Sequence, residues 1–154
     1  LTLNTSSLSE QSFINQNCQY LTLINLDSDT QQELMCINTD HYENNSNIYT
    51  YEIANLTLIE KDTRAIKRSI FGIAIDETTS SNQGYFVAVQ VGEAYYSEED
   101  TGYHIEKHDV NSNVIWRSPS LIGEPSEQGL KARYSTAKGL QLMLSTNKAM
   151  YLIN

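Results

Sequence analysis

Residues Tyr20–Ile53 read YLTLINLDSDTQQELMCINTDHYENNSNIYTYEI, and the pattern of this stretch recurs from Phe71 to Ile105. Shifted by fifty-one residues, the segment Gln32–Ile37 falls on Gln83–Ala88. A period near fifty residues is long for a solenoid repeat and suits a four-stranded sheet used as a repeat. The recurrence therefore predicts a chain built from small sheets of similar size.

Alternating apolar and polar positions predict strands along almost the whole chain. Tyr85–Val91 (YFVAVQV) is rich in β-branched and aromatic residues, and Ser69–Ile75 (SIFGIAI) is apolar throughout, as expected of a strand buried on both faces. Only Glu60–Lys67 has cations at helical spacing, which predicts one or two turns of helix there. We predict an all-β fold of about eleven antiparallel strands, forming a barrel or sandwich, with propeller-like four-stranded repeats as the alternative.

The length of 154 residues suits a single all-β domain. Residues 1–12 are polar and are predicted to be a flexible N-terminal segment. Within the domain, the recurrence predicts an internal repeat at 18–68 and 69–118, with a partial third copy at 119–154.

Cys18 and Cys36 are the two cysteines of the chain. They could form one disulfide in an oxidising compartment, or remain two small buried apolar side chains. A symmetric hairpin that turns at Ser28-Asp29 sets Leu21, not Cys18, opposite Cys36. A bridge then requires a slipped register, a bulge or a longer loop.

The formal charge is −9, from 19 acidic and 10 basic side chains. This charge predicts repulsion from nucleic acids and from anionic membranes, and attraction to a basic protein. The alternative is that the charge serves only to keep the protein soluble. The chain has no apolar run long enough to insert into a membrane, and it begins at Leu1 rather than Met, so we expect a processed form or a fragment. Together with the cysteine pair, this predicts an extracytoplasmic (periplasmic or secreted) protein.

The segment Asp109–Trp116 (DVNSNVIW) combines an aspartate, a polar turn, two apolar residues and a closing tryptophan. It resembles the outer hairpin of a quinoprotein-type β-propeller blade, with Asn113 where that motif has glycine. The resemblance implies four-stranded blades and a scaffold role. A propeller needs about four blades or more, and this chain holds fewer than three, so a propeller would require another chain or a longer protein.

Candidate catalytic and metal-binding groups are sparse in this sequence. His104 and His108 share a strand face at roughly 13 Å, too far for one ion, and are expected on the solvent face of a strand. Asp27, Asp29 and Glu33 could gather calcium, but their loop lacks the glycine and the full ligand set of a dedicated calcium loop. The sequence lacks a nucleophile turn, a glycine-rich phosphate loop and a carboxylate in an apolar context. We therefore predict no enzyme, no cofactor and no metal, with a hydrolase as the remaining catalytic alternative.

Tyrosines beside acidic residues are the strongest candidates for partner contact, because tyrosine offers a flat apolar face and a hydroxyl at low entropic cost. The alternative is that these tyrosines are ordinary half-buried strand residues. The predicted binding residues are Tyr95, Tyr96, Glu98, Glu99 and Asp100, together with Tyr42 in the loop Asp40–Asn47.

The sequence thus predicts a non-catalytic extracytoplasmic binding domain that recognises a basic protein, or a small ligand, through loops. One alternative is an acidic immunity or inhibitor protein that blocks a toxic enzyme in a tight, salt-sensitive complex. Another is a β-propeller-type scaffold module. The oligomeric state does not follow from the sequence.

Overall fold

The computed structural model of the chain describes residues 17–54, 57–92 and 102–154. These residues form eleven strands in three antiparallel sheets, and the described part of the chain contains no helix. The first sheet contains β1 (Tyr20–Ile24), β2 (Glu33–Asp40), β3 (Asn45–Ala54) and β4 (Thr57–Ile66). The second contains β5 (Ser69–Ile75), β6 (Tyr85–Val91), β7 (Gly102–His108) and β8 (Val114–Arg117). The third contains β9 (Pro125–Ser135), β10 (Gly139–Thr146) and β11 (Met150–Ile153).

Each sheet is a meander, because every strand pairs with the strand that follows it in sequence. The second sheet lies between the other two and is buried on both faces. One face contributes Ile70, Tyr85, Val87 and Val89 to a core shared with the first sheet. The opposite face contributes residues to a second core shared with the third sheet, as the period of two along each strand requires. These residues are Phe71, Phe86, Ala88 and Ile105.

The first strands of the three sheets come together along one side of the molecule. β5 packs against β9, and a Cβ atom at Gly72 would lie 3.3 Å from Cβ of Leu130. β1 and β9 flank a groove of about 330 Å³ whose lining includes Thr22, Ile73 and Lys131. The three sheets therefore diverge from a common side formed by β1, β5 and β9, an arrangement that we call the three-sheet fan.

The all-β prediction and the antiparallel pairing are confirmed. The described strands do not close into a barrel, and the sheets pack face to face as in a sandwich. The predicted helical turns at Glu60–Lys67 are wrong. Residues 60–66 belong to β4, which ends at Ile66. Thr63 and Arg64 pair with Tyr49 and Ile48 of β3, and this ladder outweighs the weak helical preference of the segment.

The Cys18–Cys36 disulfide is present, with the two Cα atoms 5.4 Å apart. The register is the symmetric one, with Leu21 opposite Cys36, so the bridge uses neither a slip nor a bulge. Instead the chain bends just before β1 at Gln19. The backbone amide of Gln19 donates to the carbonyl of Ile37, and its side-chain oxygen accepts from the amide of Thr39. This bend brings Cys18 back over Cys36.

Candidate functional site

The connections between strands gather at two opposite ends of the sheets. At one end, which we call the Tyr42 end, Asn44 Nδ2 of the β2–β3 turn donates to the carbonyl of Gly92 after β6, at 3.2 Å. At the other, the Asp27 end, the amide of Asn82 in the β5–β6 connection donates to the carbonyl of Asp27 in the β1–β2 connection, at 2.8 Å. These contacts align the first two sheets, so each end presents the connections of both sheets together.

Tyr42 is 99% exposed at the tip of the β2–β3 turn. The carboxylate of Asp40 accepts from the amides of Tyr42 and Glu43 at 2.9 and 3.0 Å, and Asn44 adopts a left-handed conformation with φ of 50°. Asparagine tolerates this conformation better than most residues. These features close the turn within four residues, so the predicted loop Asp40–Asn47 is too long: β2 continues to Asp40 and β3 begins at Asn45.

The β2–β3 turn is held against the second sheet by contacts on both sides of Tyr42. The ring of His41 lies 4.7 Å from that of Phe71, which in turn meets Tyr103 edge to face at 5.6 Å. Asn44 Oδ1 accepts from the amide of Ser69 at 2.7 Å. The base of the turn is therefore fixed, while the Tyr42 ring extends into solvent.

The acidic segment predicted to bind a partner joins β6 to β7 within residues 93–101, which lie outside the described residues. Its two flanks are described: Gly92 bonds to Asn44, and Gly102 opens β7. The structure thus brings the base of the Tyr42 turn to one flank of this segment. The predictions for the segment itself remain predictions; they concern Tyr95, Tyr96, Glu98, Glu99 and Asp100.

His104 and His108 are buried, so the expectation that they lie on a solvent face is wrong. With Glu106 they line the face of β7 that is directed to the first sheet, as their spacing of two residues requires. His104 Nδ1 lies 2.9 Å from the carbonyl oxygen of Ser118. His108 stacks on Tyr85 at 5.1 Å between ring centroids. Stacking of the second sheet on the first removes this strand face from water.

Glu106 is fully buried and is the centre of an ionic cluster. Its carboxylate accepts from Arg68 and Arg117 at 2.8 Å each, and lies 3.1 Å from His108 Nε2. Burial alone would raise the pKa of Glu106, but the His108 hydrogen bond and the charges of Arg68 and Arg117 outweigh it and lower the pKa. The carboxylate is therefore held in its charged form, the opposite of what a general acid requires.

Sequence reasoning missed this cluster. Arg117 ends β8 directly after Trp116, and its side chain turns inward to Glu106. Arg68 lies 38 positions before Glu106 and reaches it only because the link between β4 and β5 crosses from the first sheet to the second. The signal in the sequence that could have indicated the cluster is the alternation His104-x-Glu106-x-His108. It places three ionisable residues on one strand face, and such a face needs charged or polar partners if it is buried.

The acidic group at the Asp27 end already contains a cation. One carboxylate oxygen from each of Asp27, Asp29 and Glu33 lies within 4.8 Å of the others. Lys61 places its ammonium 2.8 Å from Asp27 and 3.3 Å from Glu33. The hydrogen bond from Lys61 lowers the pKa of Asp27. Among residues 17–54, 57–92 and 102–154, these three carboxylates form the group that could hold a metal ion, and Lys61 supplies positive charge at two of them.

Beside this group a cavity of about 200 Å³ separates the first sheet from the β7–β8 turn. Its floor is apolar, from Leu26, Met35 and Ile48, and its rim carries Asp62 and Arg64. The rim charges are paired with each other, because Arg64 Nε donates to the Asp62 carboxylate. The cavity therefore offers an apolar surface with little unpaired charge at its rim.

No protein-family model, curated protein or solved structure matches this chain significantly. Across residues 17–54, 57–92 and 102–154, the structure has no helix of the length and hydrophobicity that crossing a bilayer demands.

Proposed function

We propose that this chain is a non-catalytic extracytoplasmic binding module that recognises a basic protein through its Tyr42 end. The observation that carries the proposal is the hydrogen bond between Asn44 and Gly92, which ties the turn bearing exposed Tyr42 to the flank of the acidic segment 93–101. The turn that carries Tyr42 and the point at which the acidic segment begins then belong to one end of the molecule. An aromatic anchor surrounded by carboxylates suits a partner rich in lysine and arginine.

The disulfide supports the extracytoplasmic assignment. Cys18 and Cys36 are bonded in the structure, and such bonds persist in oxidising compartments and are rare in the cytosol. The role as a binding module, rather than an enzyme, is supported by Glu106, whose cluster of arginines holds it charged between two sheets.

Partner binding is tested by substitution at the Tyr42 end. We expect Tyr42→Ala, and separately Tyr95→Ala with Tyr96→Ala, to weaken binding of an arginine- and lysine-rich probe peptide at least tenfold, since an aromatic anchor contributes about 2 kcal/mol or more. Titration calorimetry at low and high salt measures this, and binding should weaken as salt rises. Tyr134→Ala is the matched control, because Tyr134 is 45% exposed beside the β9–β10 turn, away from the Tyr42 end.

If the wild type, Tyr42→Ala and the Tyr95→Ala/Tyr96→Ala variant bind the probe peptide with equal affinity, the Tyr42 end is not the binding site. If the immunity-protein alternative is correct, the same variants should weaken one tight one-to-one complex with a cationic enzyme and restore that enzyme's activity.

A scaffold of the β-propeller type is the second candidate, and the arrangement of the sheets favours it. Three consecutive meanders pack face to face in chain order, with their first strands gathered around one groove. The turn that carries the resemblance is also well formed: Asp109 Oδ1 accepts from the amides of Asn111 and Asn113 at 2.9 and 2.8 Å. An aspartate that closes the outer hairpin of a four-stranded sheet is what the resemblance implies.

A further inference from the structure

The outer face of the first sheet carries exposed apolar side chains. Tyr20 and Ile24 of β1 point into the core, so Leu21 and Leu23 between them point away from it. They are 58% and 47% exposed. On this face the disulfide to Cys18 covers Cys36, the ladder partner of Leu21, while the two leucine side chains remain exposed.

The outer face of the third sheet has the same character. Leu142 and Leu144 of β10 are buried in the second core, so Met143 points outward with its ladder partner Leu152 of β11. Met143 is 45% exposed and Leu152 is 61% exposed. Each end of the three-sheet fan thus exposes apolar side chains of the kind that its inner face buries.

The two junctions inside the chain show how such faces pair. The first sheet packs one face on the second, and the second packs its opposite face on the third, so both junctions join the front of one sheet to the back of the next. The outer face of the first sheet and the outer face of the third sheet take no part in these two junctions. The outer face of the third sheet can therefore pack on the outer face of a first sheet in the way that each sheet packs on the next within the chain.

Charge on the two outer faces is also complementary. Glu60 pairs in the ladder with Tyr51 and lies on the outer face of the first sheet. Lys131 and Arg133 alternate with core residues of β9, so they lie on the outer face of the third. Pairing of two third sheets would bring the cations of both copies together, whereas the mixed pair brings Lys131 and Arg133 to the face that carries Glu60.

We propose that a second copy of this chain binds head to tail, with the outer face of each first sheet packed on the outer face of the partner's third sheet. Two copies form two such junctions and supply six sheets, within the range of about four to eight that closes around a central channel. The groove between β1 and β9 then becomes one side of that channel. This proposal rests on the scaffold candidate and not on partner binding at the Tyr42 end.

The test is the mass of the full chain in solution, measured by light scattering or sedimentation. We expect twice the chain mass of 17.4 kDa at micromolar concentration. Leu23→Glu and Met143→Glu each place a charge in both junctions and should weaken the dimer at least tenfold. Ile122→Glu is the matched control, because Ile122 is 67% exposed in the β8–β9 connection, outside both faces, and this variant should remain dimeric.

A mixture of the two monomeric variants distinguishes head-to-tail pairing from other arrangements. Leu23→Glu retains an intact third-sheet face and Met143→Glu an intact first-sheet face, so together they form one sound junction. We expect the mixture to associate although neither variant does alone, which also shows that both variants are folded. Tyr42→Ala should leave the mass unchanged, so failure of partner binding and failure of this proposal remain distinguishable.

Three results would overturn the proposal. The first is a monomeric wild type at hundreds of micromolar, which would assign these faces to a different protein. The second is a dimer that both glutamate variants leave intact. The third is a mixture that stays monomeric while the wild type dimerises, since that outcome requires pairing of like faces.

Discussion

Glu106 shows how one buried residue links the first two sheets. Its carboxylate is fully buried, and Arg68 and Arg117 neutralise it from the β4–β5 link and from β8. The arginine side chains remain 25% and 28% exposed, so water hydrates them on one side. A buried charge is tolerated only with such partners, because an unpaired one pays a large desolvation cost.

Glu106→Gln is predicted to lower the free energy of unfolding by about 3 kcal/mol, because it leaves two arginines without their carboxylate. Urea unfolding followed by the fluorescence of Trp116, the single tryptophan, measures the change. Glu124→Gln is the control: Glu124 is exposed and should change stability by less than about 0.5 kcal/mol. Similar stabilities for the two variants would show that the cluster does not stabilise the fold.

Tyr85 extends this cluster at its other side. Burial raises the pKa of Tyr85 to about 12, and its hydroxyl donates to Ser112 at 2.8 Å. The Tyr85 hydroxyl therefore stays protonated at neutral pH, and its hydrogen bond to Ser112 connects β6 to the β7–β8 turn.

At the scale of elements, β1 is short and lies at the edge of its sheet. It has five residues, pairs only with β2, and depends on its two core side chains and on the disulfide that precedes it. An edge strand of this length separates from its sheet more readily than a central one. The disulfide opposes this because it ties Cys18 to the centre of β2.

Replacing both Cys18 and Cys36 with alanine is predicted to cost about 3 kcal/mol, the value typical of a bridge that closes a loop of this length. Chemical denaturation of the variant, beside the wild type with and without reductant, tests this. Reduction should lower wild-type stability to that of the variant and leave the variant unchanged. A wild type that reductant does not affect would show that the bridge contributes nothing to stability.

The strands were predictable where the side chains alternate, and the errors occurred where pairing decided the structure. Ser69–Ile75 and Tyr85–Val91 have the bounds that the sequence predicts. β9 begins at Pro125 although proline and glycine are typical of connections, because proline is accepted at the first position of an edge strand. Residues 60–66 have only a weak local preference for helix or strand, and pairing with β3 makes them a strand.

At the scale of the whole molecule, paired carboxylates predict sensitivity to acid. The pKa of Asp76 lies below its ordinary value because the hydrogen bonds from Lys107 and Thr78 outweigh the effect of burial, and the pKa of Glu106 is lowered in the same way. A lowered pKa in the folded state stabilises the fold above the unfolded-state pKa. That stabilisation is lost as the pH falls through the folded-state pKa.

We therefore expect the melting temperature to change little from pH 7 to about pH 5, since the shrinking of the −9 net charge relieves repulsion, and to fall steeply below about pH 4. Circular dichroism on heating, at several pH values and constant ionic strength, measures this. In the Glu106→Gln variant the acid decline should be smaller, because one of the groups responsible is absent. A melting temperature that is constant down to pH 3 would contradict the sign of these pKa shifts.

The sequence by itself determined the all-β class, the rhythm of strands and turns, and the acidic charge, because these depend on residues that are neighbours along the chain. Only the tertiary structure decided that the three meanders pack as a fan, that Asn44 meets Gly92, and that Arg68, Lys61 and Arg117 neutralise buried or clustered carboxylates. Most of these contacts join residues dozens of positions apart, and Arg117 meets Glu106 across neighbouring strands of one sheet. Their free energy arises from burial between sheets, which no local pattern of side chains encodes.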